Sequence, residues 1–209
     1  MATRIKICGT TRLEDAQGAV DLGAAALGFN FYPPSPRYIE PAAAWAIIRR
    51  LPPFVTAVGV FANESDASHV ISVAQQARVT VVQVHGPRFP PLQELRSAFT
   101  LVVAVAVGEG FRPEELGKIE ASAHLLDAFD PERPGGTGKT FDWNAAREAK
   151  QYGRIILAGG LTPANVARAV REVRPFAVDV ASGVESAPGI KDPAKLRAFF
   201  AAVAEADRE

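Results

Sequence analysis

Two side chains that can transfer protons end short apolar segments of this sequence. Cys8, the one cysteine of the chain, follows Ile5-Lys6-Ile7, and Asp127 follows Leu125-Leu126. A lone cysteine is most often a small buried apolar residue. A carboxylate that enters an apolar region is often a salt-bridge partner or a helix cap, and otherwise has a raised pKa. Both residues are therefore candidates for acid–base work, because environment sets the pKa of a thiol or a carboxyl group.

Other polar residues and glycines also follow apolar segments. Asn30 leads to Arg37, Gln83 precedes His85, and Asp179 precedes Ser182 and Gly183. A histidine at the end of a strand is more often a satisfied structural residue than a catalytic one. A metal site is not expected, because His69, His85 and His124 lack ligand spacing and one cysteine cannot form a thiolate cage.

Two glycine-containing segments suggest a phosphate site. Gly159 and Gly160 lie in Leu157–Pro163, and Ser182 and Gly183 lie in Asp179–Glu185. Glycines can serve tight turns alone, but a pair of such loops after adjacent strands is typical of phosphate binding in barrels, where backbone amides receive the anion. We therefore expect a phosphorylated small molecule as the ligand.

A third glycine-rich segment imitates a nucleotide-binding loop. Gly135–Thr140 ends in Gly-Lys-Thr, but Arg133 stands where the P-loop pattern requires its first glycine, and the segment does not open directly into a helix. ATP or GTP binding is therefore rejected. The composition of the long Phe129–Phe141 loop predicts a mobile lid over the site.

These residues must be positioned by alternating strands and helices. The segments rich in strand-forming residues are Arg4–Cys8, Ala25–Asn30, Val55–Phe61, Val79–His85, Thr100–Val107, Ala123–Ala128, Arg154–Ala158 and Phe176–Val180. Their near-continuous apolar character indicates parallel strands covered on both faces. We predict a single-domain α/β fold over residues 1–209, a (β/α)8 TIM barrel, in preference to an open doubly wound sheet. In such a barrel, the carboxyl ends of the strands would gather the polar residues named above.

Helix boundaries are predicted from capping signals. Thr11 and Glu14 have the spacing of a capping box, and Gly23 suits the end of the first helix. The expected first helical residues are Pro41, Pro113, Pro163 and Pro193, two of them preceded by the N-cap candidates Thr162 and Asp192.

Composition limits the partners. The 209 residues are 48% hydrophobic and 22% charged, and 23 basic residues balance 23 acidic ones. A neutral chain argues against nucleic-acid or acidic-membrane binding, which uses a basic field. The longest apolar run, Leu101–Val107, is too short to span a bilayer. With one cysteine, no intramolecular disulfide is possible, and we expect a cytoplasmic protein.

Eleven motifs resemble those of one enzyme family in order and spacing between Lys6 and Asp192. They are Lys6-Ile7-Cys8-Gly9-Thr10-Thr11, Gly28-Phe29-Asn30-Phe31, Ser35-Pro36-Arg37-Tyr38, Val58-Gly59-Val60-Phe61, Gln83-Val84-His85-Gly86, Leu125-Leu126-Asp127, Gly135-Gly136-Thr137-Gly138, Phe141-Asp142-Trp143, Leu157-Ala158-Gly159-Gly160-Leu161, Asp179-Val180-Ala181-Ser182-Gly183-Val184-Glu185 and Gly189-Ile190-Lys191-Asp192. The family is that of the phosphoribosylanthranilate isomerases of tryptophan biosynthesis. Val84 and Ala62 depart mildly from its pattern, and neither has a proposed chemical role.

The resemblance implies an Amadori rearrangement of N-(5-phosphoribosyl)anthranilate, with Asp127 as the general acid and Cys8 as the general base. It further implies that Arg37 pairs with the anthranilate carboxylate, and that Asp179 holds a ribose hydroxyl or orients a neighbour. His85 would be a wall or orienting residue. The phosphate would bind at the amides around Gly159, Gly160, Ser182 and Gly183. No metal or redox cofactor is implied, because the iminium intermediate accepts the electrons.

Three other functions are alternatives for a chain of this pattern. The related isomerase of histidine biosynthesis would need a second phosphate loop and a carboxylate ending the first strand, where this chain has Cys8. Indole-glycerol-phosphate synthase relies on lysines at strand ends, and here only Lys6 lies within a strand. A non-catalytic phosphosugar-binding barrel is also compatible with the fold. The expected state is a monomer or a homodimer.

Overall fold

The computed structural model of the protein describes residues 2–86, 89–128 and 141–209. The glycine-rich segment Gly135–Thr140, and with it nearly all of the predicted lid, lies outside these residues.

Within the described part, eight parallel strands close a barrel in sequence order. They are β1 (Arg4–Cys8), β2 (Ala26–Asn30), β3 (Thr56–Ala62), β4 (Val81–His85), β5 (Thr100–Val107), β6 (Ala123–Ala128), β7 (Ile155–Leu157) and β8 (Ala177–Val180). Strand β8 pairs with β1, and the register places Lys6 opposite Asp179. The predicted (β/α)8 barrel is confirmed, and the open sheet is excluded because the first and last strands are hydrogen-bonded.

Helices connect the strands around the outside of the barrel. They are α1 (Leu13–Asp21), α2 (Pro41–Ile48), α3 (Ala67–Ala77), α4 (Leu92–Ala98), α5 (Trp143–Ala149), α6 (Val166–Val173) and α7 (Pro193–Ala206). A 3₁₀ helix, Pro113–Lys118, stands between β5 and β6, where the sequence is too short for a full α-helix. After β8 come the 3₁₀ turn Ser182–Val184 and a small antiparallel hairpin of β9 (Glu185–Ala187) and β10 (Ile190–Lys191).

Some capping predictions are confirmed. The Asp192 carboxylate accepts from the amides of Ala194 and Lys195, at 2.8 and 3.1 Å. Pro41 and Pro193 open their helices, and Pro113 opens the 3₁₀ helix. Gly23 follows the C-cap of α1 with a φ of +97°.

The others are wrong. There is no capping box at α1, because Arg12 is its N-cap and the Thr11 hydroxyl instead donates to the carbonyl of Gly189 (2.6 Å). Helix α6 begins at Val166 after Asn165, so neither Pro163 nor Thr162 occupies its predicted place. At α1, a loop contact takes the hydroxyl group that the sequence spacing assigned to the helix end.

The barrel interior changes character along its length. An apolar cluster fills the part that includes Val102, Ala104, Leu125, Ile156 and Ala177. Closer to the carboxyl ends of the strands, the next interior positions are occupied by polar residues, among them the buried Lys6, Gln83 and Asp179. The apolar layers hold the barrel rigid, and the polar layer forms the floor of a site at its mouth.

Two kinds of feature are absent from the part of the chain that the structure describes. None of its helices is long and apolar enough to cross a membrane. None of its clusters of histidine, cysteine, aspartate or glutamate has three or more members placed to hold a metal ion.

Candidate active site

A buried ion pair forms the floor of the site. The ammonium nitrogen Nζ of Lys6 lies 2.8 Å from Oδ1 of Asp179, and both side chains are almost fully buried. Burial alone would lower the pKa of Lys6, but the Asp179 carboxylate and the neighbouring Cys8 raise it above its ordinary value. Lys6 is therefore a fixed positive charge inside the barrel mouth. Its position in the sequence pattern did not by itself indicate a role.

Cys8 ends β1 directly above this pair. The absence of a side chain at Gly28 makes the arrangement possible, because a Cβ there would lie 3.0 Å from Cys8 Sγ and 3.1 Å from Lys6 Nζ. Burial raises the pKa of the Cys8 thiol, Lys6 and Lys191 act to lower it, and Asp179 acts to raise it. The net direction is upward, so the neutral thiol is favoured at this position.

Asp127 lies on β6, on the far side of the barrel mouth. Burial raises its pKa to about 6, and Asp179 adds to the rise, while the Ala128 amide and Lys6 oppose it. Gly159, with a φ of +78°, comes so close that a Cβ there would lie 3.0 Å from Asp127 Oδ1 and 2.5 Å from the Ala128 nitrogen. Asp127 thus holds its proton up to a higher pH than an exposed carboxyl group.

Arg37 is part of a network that sequence reasoning missed. Its Nε and Nη2 atoms donate to the Glu185 carboxylate at 2.9 and 2.7 Å. Lys191 Nζ also donates to Glu185 (2.8 Å) and to the carbonyl oxygen of Cys8 (2.5 Å). Burial acts to raise the pKa of Glu185, but Arg37 and Lys191 bring it below its ordinary value. The network ties the loop after β2 to the hairpin after β8 and to the end of β1.

Glu185 and Lys191 could have been noticed as charged residues next to predicted loop glycines. Their sequence positions alone, however, do not show that they are nearly inaccessible to solvent. The burial of these two charged residues can be recognised only in the folded structure, where the loop after β2 and the hairpin after β8 come together.

The two glycine loops after β7 and β8 are in contact. A Cβ on Gly183 would collide with the carbonyl oxygen of Leu161. Gly160 has a φ of +62°, and its carbonyl accepts from Asn165 Nδ2 at 2.9 Å. The Oδ1 atom of the same Asn165 accepts from the Thr162 amide at 2.8 Å. Asn165, which the sequence analysis did not name, therefore holds the β7 loop in shape.

Backbone amides at these loops lack partners within the described residues. The amides of Gly160, Ser182 and Gly183 donate to none of the carbonyls or side chains found there. Ser182 opens a 3₁₀ turn, so its first amides have no partner within that turn. Such amides are suited to receive phosphate oxygens.

His85 lies beside Gln83 at the end of β4. The two side chains are hydrogen-bonded between Gln83 Nε2 and His85 Nε2. Burial lowers the pKa of His85 to about 3, and the nearby positive charge of Lys6 contributes. His85 is therefore neutral at physiological pH, so it can line the site or accept a hydrogen bond, but it brings no charge.

The chain is similar to known proteins over nearly its whole length. The family profile described as N-(5'-phosphoribosyl)anthranilate (PRA) isomerase matches residues 5–202. A protein of that name from Geobacter metallireducens is 48% identical over 203 residues, which are 94% of this chain and 96% of that protein.

Solved structures agree. Phosphoribosyl anthranilate isomerase from Thermus thermophilus superposes with a TM-score of 0.89 at 42% identity, covering 97% of this chain and 99% of the other. A complex of such an isomerase with reduced 1-(o-carboxyphenylamino)-1-deoxyribulose 5-phosphate gives 0.84 at 39% identity, covering 97% and 99%. Monomers generated from the dimeric isomerase of Thermotoga maritima give 0.82 at 38% identity, covering 97% and 98%.

Proposed function

The chain belongs to the N-(5'-phosphoribosyl)anthranilate isomerase family, and we propose that it performs this reaction with Cys8 as the general base and Asp127 as the general acid. The enzyme is an isomerase of tryptophan biosynthesis. It converts N-(5'-phosphoribosyl)anthranilate, an aminoaldose, into 1-(2-carboxyphenylamino)-1-deoxy-D-ribulose 5-phosphate by an Amadori rearrangement.

The reaction needs two proton transfers at opposite sides of the sugar. Asp127 gives its proton to the furanose ring oxygen, and the ring opens to an iminium ion. Cys8 then removes the proton from C2, and the electron pair of the broken C–H bond neutralises the iminium nitrogen. The enamine that results tautomerises to the ketone. A general acid and a general base each contribute about 10²–10⁴-fold to such steps.

The observation that carries this assignment is the raised pKa of Asp127, about 6, at the mouth of the barrel. At a pKa of about 6, roughly a tenth of such groups still carry a proton at pH 7, against about a thousandth of exposed carboxyl groups at their ordinary pKa of about 3.9, so Asp127 is the better placed to act as an acid. Cys8 ends β1, and β1 and β6 are separated by four strands in one direction around the ring and by two in the other. The sugar can therefore lie between the two groups.

The remaining contacts follow from the charges of the substrate. Arg37 would bind the anthranilate carboxylate, and the amides around Gly159, Gly160, Ser182 and Gly183 would bind the phosphate. Asp179 would act through Lys6 or contact a ribose hydroxyl, and His85 would line the site as a neutral wall. Our proposal requires no metal or redox cofactor, because the iminium ion itself accepts the electrons.

Single substitutions at the acid and the base test the assignment. Cys8→Ala and Asp127→Asn should each reduce turnover at least ~100-fold, measured by the loss of the substrate's anthranilate fluorescence. Asp21→Asn removes an exposed carboxylate at the end of α1 and serves as the matched control, with turnover close to that of the parent. Near-normal turnover in a folded Cys8→Ala or Asp127→Asn protein would overturn the assignment.

The same assay separates the isomerase from a barrel that only binds phosphosugars. A binding protein would quench or shift the fluorescence in proportion to its own concentration and then stop. An enzyme at nanomolar concentration consumes all of the substrate.

The protein is expected to be a cytoplasmic monomer or homodimer, with a phosphosugar as its ligand and neither nucleic acid nor membrane as a partner. The neutral composition and the single cysteine support this, and one similar enzyme is described as dimeric. Sedimentation velocity over a hundredfold range of concentration distinguishes the two assembly states.

A further inference from the structure

The base in the proposed reaction is a buried thiol, and burial works against the charge it must acquire. Four charged groups act on Cys8. Lys6 comes from its own strand, Asp179 from β8, Lys191 from β10, and Arg37 from the loop after β2. Which of the three cations acts most directly on the sulfur depends on where each of them is bound.

Two of the three cations are bound to Glu185, whose single negative charge offsets one of them. The guanidinium of Arg37 binds its carboxylate through two nitrogens, and Lys191 donates to the same carboxylate. Lys191 does reach Cys8, but at the main-chain carbonyl oxygen and not at the sulfur.

Lys6 is placed differently. Its ammonium makes one carboxylate contact, with Asp179, and an ammonium group has three protons to donate. The sulfur of Cys8 and the nitrogen of Lys6 both approach the bare Cα of Gly28, at 3.0 and 3.1 Å from the point where a Cβ would stand. Among the cations of the described residues that lower the pKa of the Cys8 thiol, Lys6 has the largest effect.

We infer that Lys6 is a positioning residue for the proton transfer: Asp179 holds its ammonium beside Cys8, where its charge stabilises the thiolate that abstracts the substrate proton. The roles of the pair are then distinct. Lys6 promotes the loss of the thiol proton, and Asp179 anchors Lys6 while opposing the thiolate with its own negative charge.

The surroundings of Lys6 are consistent with this role. The same ammonium lowers the pKa of His85, which keeps the imidazole neutral. It also acts to lower the pKa of Asp127, but burial outweighs it there. A positive charge on the floor of the mouth thus favours an anion at Cys8 and leaves Asp127 able to carry a proton.

The chemical part of the inference can be tested without turnover, although its catalytic meaning rests on the proposed function. Because Cys8 is the one cysteine of the chain, iodoacetamide alkylation reports on this thiol alone. The alkylation rate is measured against pH, and its midpoint gives the pKa of the thiol.

Lys6→Gln removes the charge and retains a hydrogen-bonding group. We expect the midpoint to move to higher pH by about one unit, so that alkylation at pH 7.5 slows on the order of tenfold. Asp179→Asn should move the midpoint the opposite way, because the amide can still accept from Lys6 but carries no negative charge. Opposite shifts of this kind are not produced by a general loosening of the site, which would move both midpoints in one direction.

Two further variants complete the design. Lys6→Gln/Asp179→Asn leaves no unpaired buried charge, and it replaces the single variant if that one fails to fold. Its midpoint should lie above that of the parent and below that of Lys6→Gln. Lys150→Met removes a lysine that bonds the Val173 carbonyl outside the barrel mouth, and its midpoint should be unchanged.

Turnover then links the thiol to catalysis. Lys6→Gln should lower kcat by roughly the factor by which it lowers the thiolate fraction, with a smaller change in KM. A folded Lys6→Gln or double variant with the midpoint of the parent would overturn the inference about Lys6. A shifted midpoint together with near-normal turnover of Cys8→Ala would instead overturn the proposed function and leave the role of Lys6 toward the thiol intact.

Discussion

At the residue scale, one physical effect acts on both proposed proton-transfer groups. Burial raises the pKa of Asp127 and that of Cys8. The raised pKa suits an acid but opposes a base, so the form with a protonated Asp127 and a Cys8 thiolate is a minor one. The reaction proceeds through this minor form, and any charge that favours the thiolate increases its population.

The protonation states predict the pH dependence. With Asp127 titrating at about 6 and the thiol well above it, kcat/KM should rise as the pH approaches 6 and then stay level until the thiol titrates. The two apparent pKa values of this profile belong to Asp127 and Cys8 as a coupled pair. If kcat/KM instead rises with a midpoint near pH 4, burial does not raise the pKa of Asp127. Initial rates between pH 4.5 and 9, at substrate concentrations far below KM, provide the measurement.

Arg37 should act through its geometry as well as its charge. Its planar fork contacts Glu185 on one edge, and a lysine at this position could not hold Glu185 and a substrate carboxylate in the same way. We expect Arg37→Lys and Arg37→Ala to raise KM more than they lower kcat, with alanine the larger effect. If KM stays the same in both, the anthranilate carboxylate is recognised elsewhere.

At the element scale, the loops after β7 and β8 show how irregular segments become rigid. Glycine permits the close approach of Gly183 to Leu161, and the side chain of Asn165 then bonds two main-chain groups of its own loop. Sequence patterns located these loops because glycines interrupt strand-like segments. They placed the start of α6 too early, because Pro163, Ala164 and Asn165 form a turn in place of a helix.

Asn165→Ala removes both of these loop contacts. We expect KM for the phosphorylated substrate to rise by about 3–30-fold, as for the loss of one or two modest hydrogen bonds, with kcat less affected. Competitive inhibition by inorganic phosphate should weaken by a similar factor. Asn144→Ala, at the exposed start of α5, is the control and should change neither quantity. Unchanged phosphate inhibition in Asn165→Ala would show that the loop keeps its shape without this side chain.

At the scale of the whole molecule, Asp127, the acid that the reaction needs, lowers the stability of the folded protein. The folded-state pKa of Asp127 is about 6 and its ordinary value is 3.8. The folded protein therefore binds the proton more tightly than the unfolded chain does. The resulting destabilisation is absent below pH 3.8, develops between pH 3.8 and 6, and is complete above pH 6.

Asp127→Asn should consequently stabilise the protein at pH 7.5 while it abolishes most turnover. The expected gain is about 1–3 kcal/mol, because an amide resembles the neutral acid and has no charge to desolvate. Thermal unfolding should show a higher Tm at pH 7.5 and a smaller difference at pH 5. Asp21→Asn should show neither change. A lower Tm for Asp127→Asn at pH 7.5 would mean that the carboxylate forms contacts in the folded state that outweigh its desolvation.

The sequence by itself determined the barrel and the positions of its main proton-transfer candidates. Strand length, helix breaks and the apolar character of the strands are local properties, so the ends of β1 and β6, and with them Cys8 and Asp127, could be located without coordinates. The family resemblance then supplied the chemistry.

Only the tertiary structure decided which charges meet. Lys6 and Asp179 are 173 positions apart, Arg37 and Glu185 are 148 apart, and Thr11 reaches Gly189 across 178. These pairs form because a closed barrel brings its first and last strands side by side, which no local pattern encodes. The pKa of each group depends on burial and on such neighbours together, so the protonation states that permit catalysis are a property of the folded barrel.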